Sequence, residues 1–427
     1  MGQLRVLECF AGVGSQSMAL RNIGQDFNVV GIMEVDRHAL ICYSAIHKNM
    51  IDDLPAKSDD EMYNYLFKKG VGVNFSTGKN ELPKSGDKLR QIYVADIKSN
   101  NLGDIRYINP KDVPEHDLMT YSFPCKNISV EGKQDGLKKG GDTQSSLVWE
   151  CEKIIKHHRP KYLLMENVKN IVSKRHLPAF AEWMDWLEKQ GYINYMKIYN
   201  SNKFGVPHNR ERVLMISIRK DVKGADSFIE PVGNNNTPKL LEVIEKDNIE
   251  QFLVDDDYLK GFVEVIDKDK FDILKEQILD NGILYSNKDL QQTIDKRLKY
   301  LPLKTQDKDV TVLVREATKL GYKCASIGDS IHITQKNSAT RRGRIGKQEV
   351  KTLDTVCYQC VVLPNYKFKR LSPLDCWRLQ GFTDEDYYKC VDQGISAPKL
   401  YERAGRGITV PLLEEIFKNL FRGNNHV

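Results

Sequence analysis

Cys125 follows Pro124 at the end of an apolar run, DLMTYSFPC, and glycine-rich sequence begins a few residues later. A thiol on such a rim is a nucleophile once its thiolate is stabilised. A lone cysteine is more often a buried structural residue, so its neighbours must decide. Glu166 and Asn167 end a second apolar run, YLLMEN, where the chain turns suddenly polar. A carboxyl group there can hold or move a proton. Arg210 and Arg212 stand two apart in FGVPHNRERV, so in extended chain both side chains face one side and could clamp an anionic or carbonyl-bearing group. A fourth feature binds rather than reacts. The turn FAGVGS places Phe10, Gly12 and Gly14 between LRVLECF and a helix-like stretch, and the next apolar run, NVVGIMEVD, ends in Glu34 and Asp36. Glycines let a ligand approach the backbone, and an acid at the end of the second strand accepts from ribose hydroxyls. The unit fits a nucleotide-like ligand without separating a nicotinamide cofactor from S-adenosylmethionine.

Elements that could bring these groups together follow from the apolar rhythm. Residues 4–10 read as a strand, SMALRNIG as a helix and NVVGIMEVD as a strand. Residues 52–90 are polar and glycine-dotted and read as a surface insertion. QIYVADI (91–97), DLMTYSFPC and KYLLMENV read as further strands, with SSLVWECEKIIKHH and AFAEWMDWLEKQG as helices and INYMKIYN and RVLMISIR as closing strands. Strand and helix alternate to about residue 220, which predicts a parallel-dominated α/β layer structure. In such a sheet, ligand and catalytic groups gather at the carboxyl ends of strands. Glu8, Glu34, Asp96, Cys125 and Glu166 all fall at or near such ends, which points to one shared crevice. From 221 the rhythm becomes irregular and turn-rich, and a final helix, PLLEEIFKNLF, closes the chain. No internal repeat is visible.

Composition excludes several classes. The 427 residues are 41% hydrophobic and 29% charged, with 29 Gly and 15 Pro, so neither a disordered nor a collagen-like chain is expected. There is no apolar run of about 18 residues, so no membrane span is expected. The start, MGQLRVLECFAGVG, lacks the zones of a signal peptide. Nine scattered cysteines suit a reducing cytoplasm. Cys357 and Cys360 form a CxxC without a second ligand pair nearby, so no metal is expected. Net charge is only +6, from 64 Lys+Arg against 58 Asp+Glu. The distribution is uneven: residues 331–370 hold nine Lys/Arg against Glu349 and Asp354.

Taken in order, these pieces resemble the cytosine-C5 DNA methyltransferase family. The resemblance covers about residues 4–220 and 370–420 and runs through FAGVGS, Glu34, Ala95-Asp96-Ile97, SFPCKNIS, MENVKN, PHNRER, RLSPLDCWRLQGF and AGRGITVPLLEEIF. Four positions depart from the family pattern. Lys126 follows the cysteine where Gln is usual, Gln144 takes an arginine position, His208 replaces Gln, and Gly405-Arg406-Gly407 stands where Gly-Asn-Ser is common.

The resemblance implies a Rossmann-like S-adenosylmethionine methyltransferase sheet over 1–220, completed by the C-terminal helix of 400–427. It implies a smaller, irregular target-recognition domain over 221–399 that includes RLSPLDCWRLQGF. S-adenosylmethionine would be held by Phe10, Gly12, Gly14, Glu34, Asp96, Ile97 and Pro124. Cys125 would add to C6 of a cytosine flipped from double-stranded DNA, Glu166 would act at N3, and Arg212, with Arg210 behind it, would orient O2 and the carboxylate. The basic stretch Arg341, Arg342, Arg344 and Lys347 would touch DNA. The phrases DLMTYSFPC and PKYLLMENV look like bacterial and phage members, which implies a cytoplasmic monomer in a restriction–modification or phage-protection setting. Two alternatives stay open: a tRNA-modifying enzyme of the same fold, and a catalytically weak DNA-binding regulator motivated by the four departures.

Overall fold

The computed structural model describes residues 3–74, 77–125, 128, 136–137, 139–140, 143–267, 310–317, 322–334, 338 and 343–421. Six strands build the central sheet: β1 (Leu4–Cys9), β2 (Phe27–Met33), β3 (Leu118–Tyr121), β4 (Tyr162–Val168), β5 (Tyr192–Asn200) and β7 (Glu211–Arg219), with a two-residue β6 (His208–Asn209) just ahead of β7. Their spatial order is β2-β1-β3-β4-β7-β5. β1 to β4 run parallel, and β7 runs antiparallel to both β4 and β5.

The apolar runs are continuous because both faces of the sheet are covered. Along each strand, alternate residues enter different cores. Val6, Leu118 and Leu164 pack on one face with helices α1 (Ser15–Asn22), α2 (Arg37–His47), α3 (Asp59–Lys68) and α4 (Asp87–Lys98). Leu7, Met119, Leu163 and Met165 pack on the other with α5 (Val148–His158) and α6 (Leu177–Lys189).

One expected strand is a helix. QIYVADI lies inside α4, and β3 at Leu118–Tyr121 takes the place beside β1. The stretch satisfies both periods: Ile92, Val94 and Asp96 alternate as a strand would, while Leu89, Ile92, Tyr93 and Asp96 follow helical spacing and are buried. Packing on α2 and α3 decides for the helix.

The second region carries short strands: β8 (Val263–Asp267), β9 (Val310–Arg315), β10 (Tyr322–Ala325), β11 (Ser330–His332), β12 (Gly343–Gly346), β13 (Val350–Lys351), β14 (Gln359–Val362) and β15 (Phe368–Arg370). β10-β9-β8 form one antiparallel sheet and β12-β11-β14-β15 another. They share a small core that includes Phe262, Val314, Ile331, Cys360 and Phe368. β13 leaves this region to pair in parallel with β6, Val350 opposite His208.

The large core crosses the expected boundary at 399. Leu371, Trp377, Leu379, Phe382 and Leu400 belong to the core of α1 to α4, not to the small core. RLSPLDCWRLQGF therefore packs with the α/β layer, and Val350, Leu353, Cys357 and Val361 ahead of it reach the same core. For RLSPLDCWRLQGF the reason is the helix Pro373–Arg378, capped by Ser372, whose apolar side reaches the large core. The C-terminal helix Val410–Phe421 packs on α1, as its motif implied.

Candidate active site

The turn after β1 is built by left-handed backbone. Phe10, Gly12 and Gly14 have φ of 57°, 59° and 77°. The two glycines are needed for different reasons. A Cβ on Gly14 would lie 2.3 Å from His47, whereas at Gly12 it would meet nothing within 4 Å. Gly12 thus presents bare backbone to open space, as a cradle for a ligand requires. Glu34 closes the turn from the end of β2. Its carboxylate accepts the Gly12 N–H at 2.8 Å and the Val35 and Asp36 N–H groups at 2.8 Å each. Burial raises its carboxyl above the ordinary value, with Asp36 adding to the rise.

Asp96 and Ile97 are not beside this crevice as strand-end residues. Asp96 sits on α4, wholly buried, and its carboxylate is taken by Lys69 and by Asn101 Nδ2. The segment that flanks the end of β2 is Asn101–Asp104. Leu102 N–H donates to Ile32 O at 2.7 Å, and Asn101 bridges to Ile32. A second Asp-Ile pair, Asp104-Ile105, follows directly. Asp104 is buried and caps the turn Ile105–Tyr107, with Arg106 Nη2 at 2.6 Å.

Cys125 is half-buried at the end of the β3 strand segment. The Pro-Cys turn is held from both sides. Ser145 Oγ donates to Pro124 O at 2.8 Å, and Asn167 Nδ2 donates to Phe123 O at 3.1 Å. Ser145 is invisible to motif reading, because nothing in its neighbourhood repeats or alternates. Glu166, at the end of β4, pairs with Arg212 Nε at 3.0 Å. Sheet register makes the pair: Val168 lies opposite Arg212 and Glu166 opposite Leu214, so the arginine crosses diagonally. Burial pushes the Glu166 carboxyl up while Arg212 and Arg210 pull it back. Burial likewise raises the Cys125 thiol; Arg212 lowers it, Glu166 raises it and Arg210 lowers it. Cysteine, carboxyl and guanidinium therefore share one electrostatic site. An open cleft lined by Lys169, Asn170, Asn209, Arg212 and Thr352 lies against it.

The arginine pair divides. Arg212 serves Glu166, but Arg210 is not a second clamp. It is buried, and its guanidinium donates to Gly405 O and Gly407 O at 3.0 Å and to Leu353 O at 3.4 Å. It ties three chain segments beneath the site. His208 does similar work. Buried, its Nε2 accepts the Leu353 N–H at 3.1 Å, which leaves Nδ1 to donate to Leu379 O at 3.3 Å. Burial, then Arg210, keep it neutral, well below the ordinary imidazole value. Arg406 does not intrude on the glycine turn. It bonds Asp36 at 3.4 Å and Glu402 at 2.5 Å, beside the buried Arg403, which holds Asp36 at 2.9 Å.

Of the basic stretch, Arg341 and Arg342 lie outside the described residues, as do Lys126 and most of 126–142. Arg344 is exposed at φ 47°. Lys347 is anchored instead: its ammonium meets the buried Asp329 at 2.7 Å and Cys324 O at 2.9 Å. No helix among the described residues is long and apolar enough to cross a membrane.

Comparison with known proteins agrees with this geometry. The sequence profile of the C-5 cytosine-specific DNA methylases matches residues 77–422. The chain is 34% identical over 423 residues to the type II methyltransferase M2.ScrFI of Lactococcus lactis subsp. cremoris, covering 98% of this chain and 99% of that one. It is 26% identical over 486 residues to the orphan methyltransferase M.SPBetaI of Bacillus phage SPbeta, with 98% of each covered. Among solved structures, the S. pombe Dnmt2 methyltransferase superposes with a TM-score of 0.54 at 13% identity, over 99% of this chain and 100% of that one. A putative DNA modification methyltransferase encoded within an E. coli prophage gives 0.54 at 16%, over 99% of this chain and 100% of that one. Both share the Rossmann-like methyltransferase fold. Sequence and fold agree: the chain belongs to the C-5 cytosine-specific DNA methylase family.

Proposed function

We propose that the chain methylates C5 of a cytosine flipped out of double-stranded DNA, through a covalent bond between Cys125 and C6. One observation carries this reading: Cys125 at a strand end shares its electrostatic site with the Glu166–Arg212 ion pair at 3.0 Å. S-adenosylmethionine fits the open backbone at Gly12 and the carboxylate of Glu34, and when bound it supplies an electrophilic methyl group. Phe10, in the same turn as Gly12, and Pro124, beside Cys125, would complete the cofactor's surroundings.

C5 of cytosine is a weak nucleophile, and addition at C6 changes that. The Cys125 thiolate forms the S–C6 bond, and the ring electrons shift toward N3. With the base bound, a proton shared between Glu166 and N3 passes to N3 as the ring electrons shift, which keeps charge from building on the ring and leaves the carboxylate paired with Arg212. Arg212 holds Glu166 in place and faces O2. C5 is then enamine-like and would take the methyl group as its bond to the cofactor sulfur breaks, with S-adenosylhomocysteine as the leaving group. Loss of the C5 proton to solvent base returns electrons to the ring and expels Cys125, restoring the free thiol. Such chemistry needs an unstacked base, at a cost of about a few kcal/mol.

The test is a duplex carrying 5-fluorocytosine at the target. Fluorine cannot leave C5 as a proton does, so wild type should be trapped as a covalent adduct that needs S-adenosylmethionine, and Cys125→Ser should not. Equal trapping by the two proteins would falsify the assignment. The names of the Lactococcus and phage relatives, a type II and an orphan methyltransferase, support a restriction–modification or phage-protection role.

DNA contact by the basic loop falls to Arg344, with Arg341 and Arg342 beside it in sequence. Arg344→Ala is expected to weaken binding to all sequences and lower the salt slope by about 1 if it meets a phosphate. Lys347→Ala should instead lower the melting temperature, because the buried Asp329 loses its cation. Salt titration of DNA binding and a melting curve separate the two. A salt slope unchanged by Arg344→Ala removes that contact.

A further inference from the structure

Behind Glu34 runs a chain of buried polar groups from three separate segments. Asn101 is 4% exposed and Asp96 is wholly buried. Asn101 Oδ1 accepts the N–H of Glu34 at 3.0 Å and of Gly103 at 3.1 Å. Its Nδ2 donates to Glu34 O at 3.0 Å and to Asp96 Oδ1 at 2.7 Å. Both donors and both lone pairs of the amide are used. The amide has one workable orientation. Flipped, it would turn its NH₂ on two N–H groups and its oxygen on a carboxylate and a carbonyl. Asp96 therefore fixes which way Asn101 faces.

Lys69 completes the chain from the 52–90 insertion. Its ammonium bonds Asp96 Oδ2 and Asn101 O, supplying the charge that the buried carboxylate needs. Its carbonyl accepts the Asp104 N–H at 2.8 Å. The fit leaves no clearance: Gly103 has φ 89°, and a Cβ there would fall 2.3 Å from Lys69 O. The insertion also reaches the other side of Glu34, where Gly72 N–H donates to Val35 O at 2.7 Å.

We propose that Lys69, Asp96 and Asn101 are positioning residues that set the main chain of Glu34, and so the carboxylate offered to the cofactor ribose. The insertion thereby governs cofactor affinity without touching the cofactor. Asn101 holds both the N–H and the C=O of Glu34, and so fixes where the end of β2 carries that carboxylate. The inference rests on the cofactor reading proposed above.

Calorimetric titration of the full chain with S-adenosylhomocysteine tests it, alongside KM for S-adenosylmethionine and for DNA. Asn101→Ala should weaken S-adenosylhomocysteine binding and raise the cofactor KM by about ten-fold, leaving the DNA KM unchanged. Lys69→Met should lose affinity too, because it strands the Asp96 charge. The double variant Lys69→Met/Asp96→Asn removes both charges, keeps an acceptor for Asn101, and should regain most of the lost affinity. A folded Asn101→Ala with wild-type cofactor affinity, or with DNA binding equally impaired, overturns the proposal. Should Asn101→Ala fail to fold, the lysine pair decides: no recovery in the double variant overturns it. Glu34→Ala separates the two readings. If it leaves S-adenosylhomocysteine binding intact, the cofactor site itself is misplaced. If it weakens binding and Asn101→Ala does not, only the positioning role fails.

Discussion

Glu166→Gln is expected to cut kcat/KM for methyl transfer by roughly 10²–10⁴-fold, the usual worth of a positioned acid–base group. The same change should speed alkylation of Cys125 by iodoacetamide at pH 8. The two effects have opposite signs because Glu166 has two influences. For the substrate it is the group at N3, and an amide cannot exchange that proton. For Cys125 it is a nearby negative charge that raises the thiol, on top of burial. The thiol starts above its ordinary value, so the thiolate fraction at pH 8 is small and grows as pH rises. Removing the Glu166 charge lowers the thiol, and the alkylation profile shifts to lower pH. Arg212→Gln removes the charge that most lowers the thiol and should shift the profile the other way. The pH dependence of alkylation, measured without DNA, checks both signs. If Glu166→Gln alkylates no faster than wild type, the shared site is not electrostatically coupled as described.

Lys369→Met carries the largest expected loss of stability, about 3–5 kcal/mol. Lys369 and Asp375 are both fully buried and paired. The pair joins β15, the last strand of the irregular region, to the first turn of the helix Pro373–Arg378 in the α/β layer. Asp375 also accepts the N–H of Ser372 at 2.7 Å and of Glu245 at 2.6 Å. Methionine fills much of the lysine volume, so the cost arises from leaving Asp375 buried without its cation. Lys369→Met/Asp375→Asn removes both charges but keeps an acceptor for only one of the two N–H groups, and should recover part of the loss. Urea unfolding midpoints of the three proteins provide the comparison. A single variant that costs less than about 1 kcal/mol would show that backbone N–H groups alone satisfy Asp375.

The nucleophile, its carboxyl partner and the cofactor turn are legible in the amino-acid sequence. Each sits where an apolar run stops, and in a parallel sheet that is where functional groups collect. Cys125, Glu166, Gly12 and Glu34 follow this rule; Arg212 joins them because β7 runs antiparallel and starts beside the end of β4. The covered faces of the sheet are legible too, since β1 to β4 have no polar alternation to lose.

Other assignments depend on what lies across space. QIYVADI fits a strand and a helix equally, and only packing on α2 and α3 makes it α4. Asp96 reads as a cofactor acid, yet its carboxylate is spent on Lys69 and Asn101, partners 27 and 5 residues away. Arg210 and Arg212 are indistinguishable in sequence. The β4–β7 register gives one to Glu166, and three distant carbonyls take the other. Lys347 reads as a DNA-facing cation until Asp329 is found beneath it. RLSPLDCWRLQGF adjoins the irregular region in sequence but shares its core with α1 to α4. Residue type and local rhythm are properties of a short segment, so the sequence by itself determined the fold class and the candidate reacting groups. Which charge meets which partner depends on side chains brought together from far along the chain, and only the tertiary structure decided that.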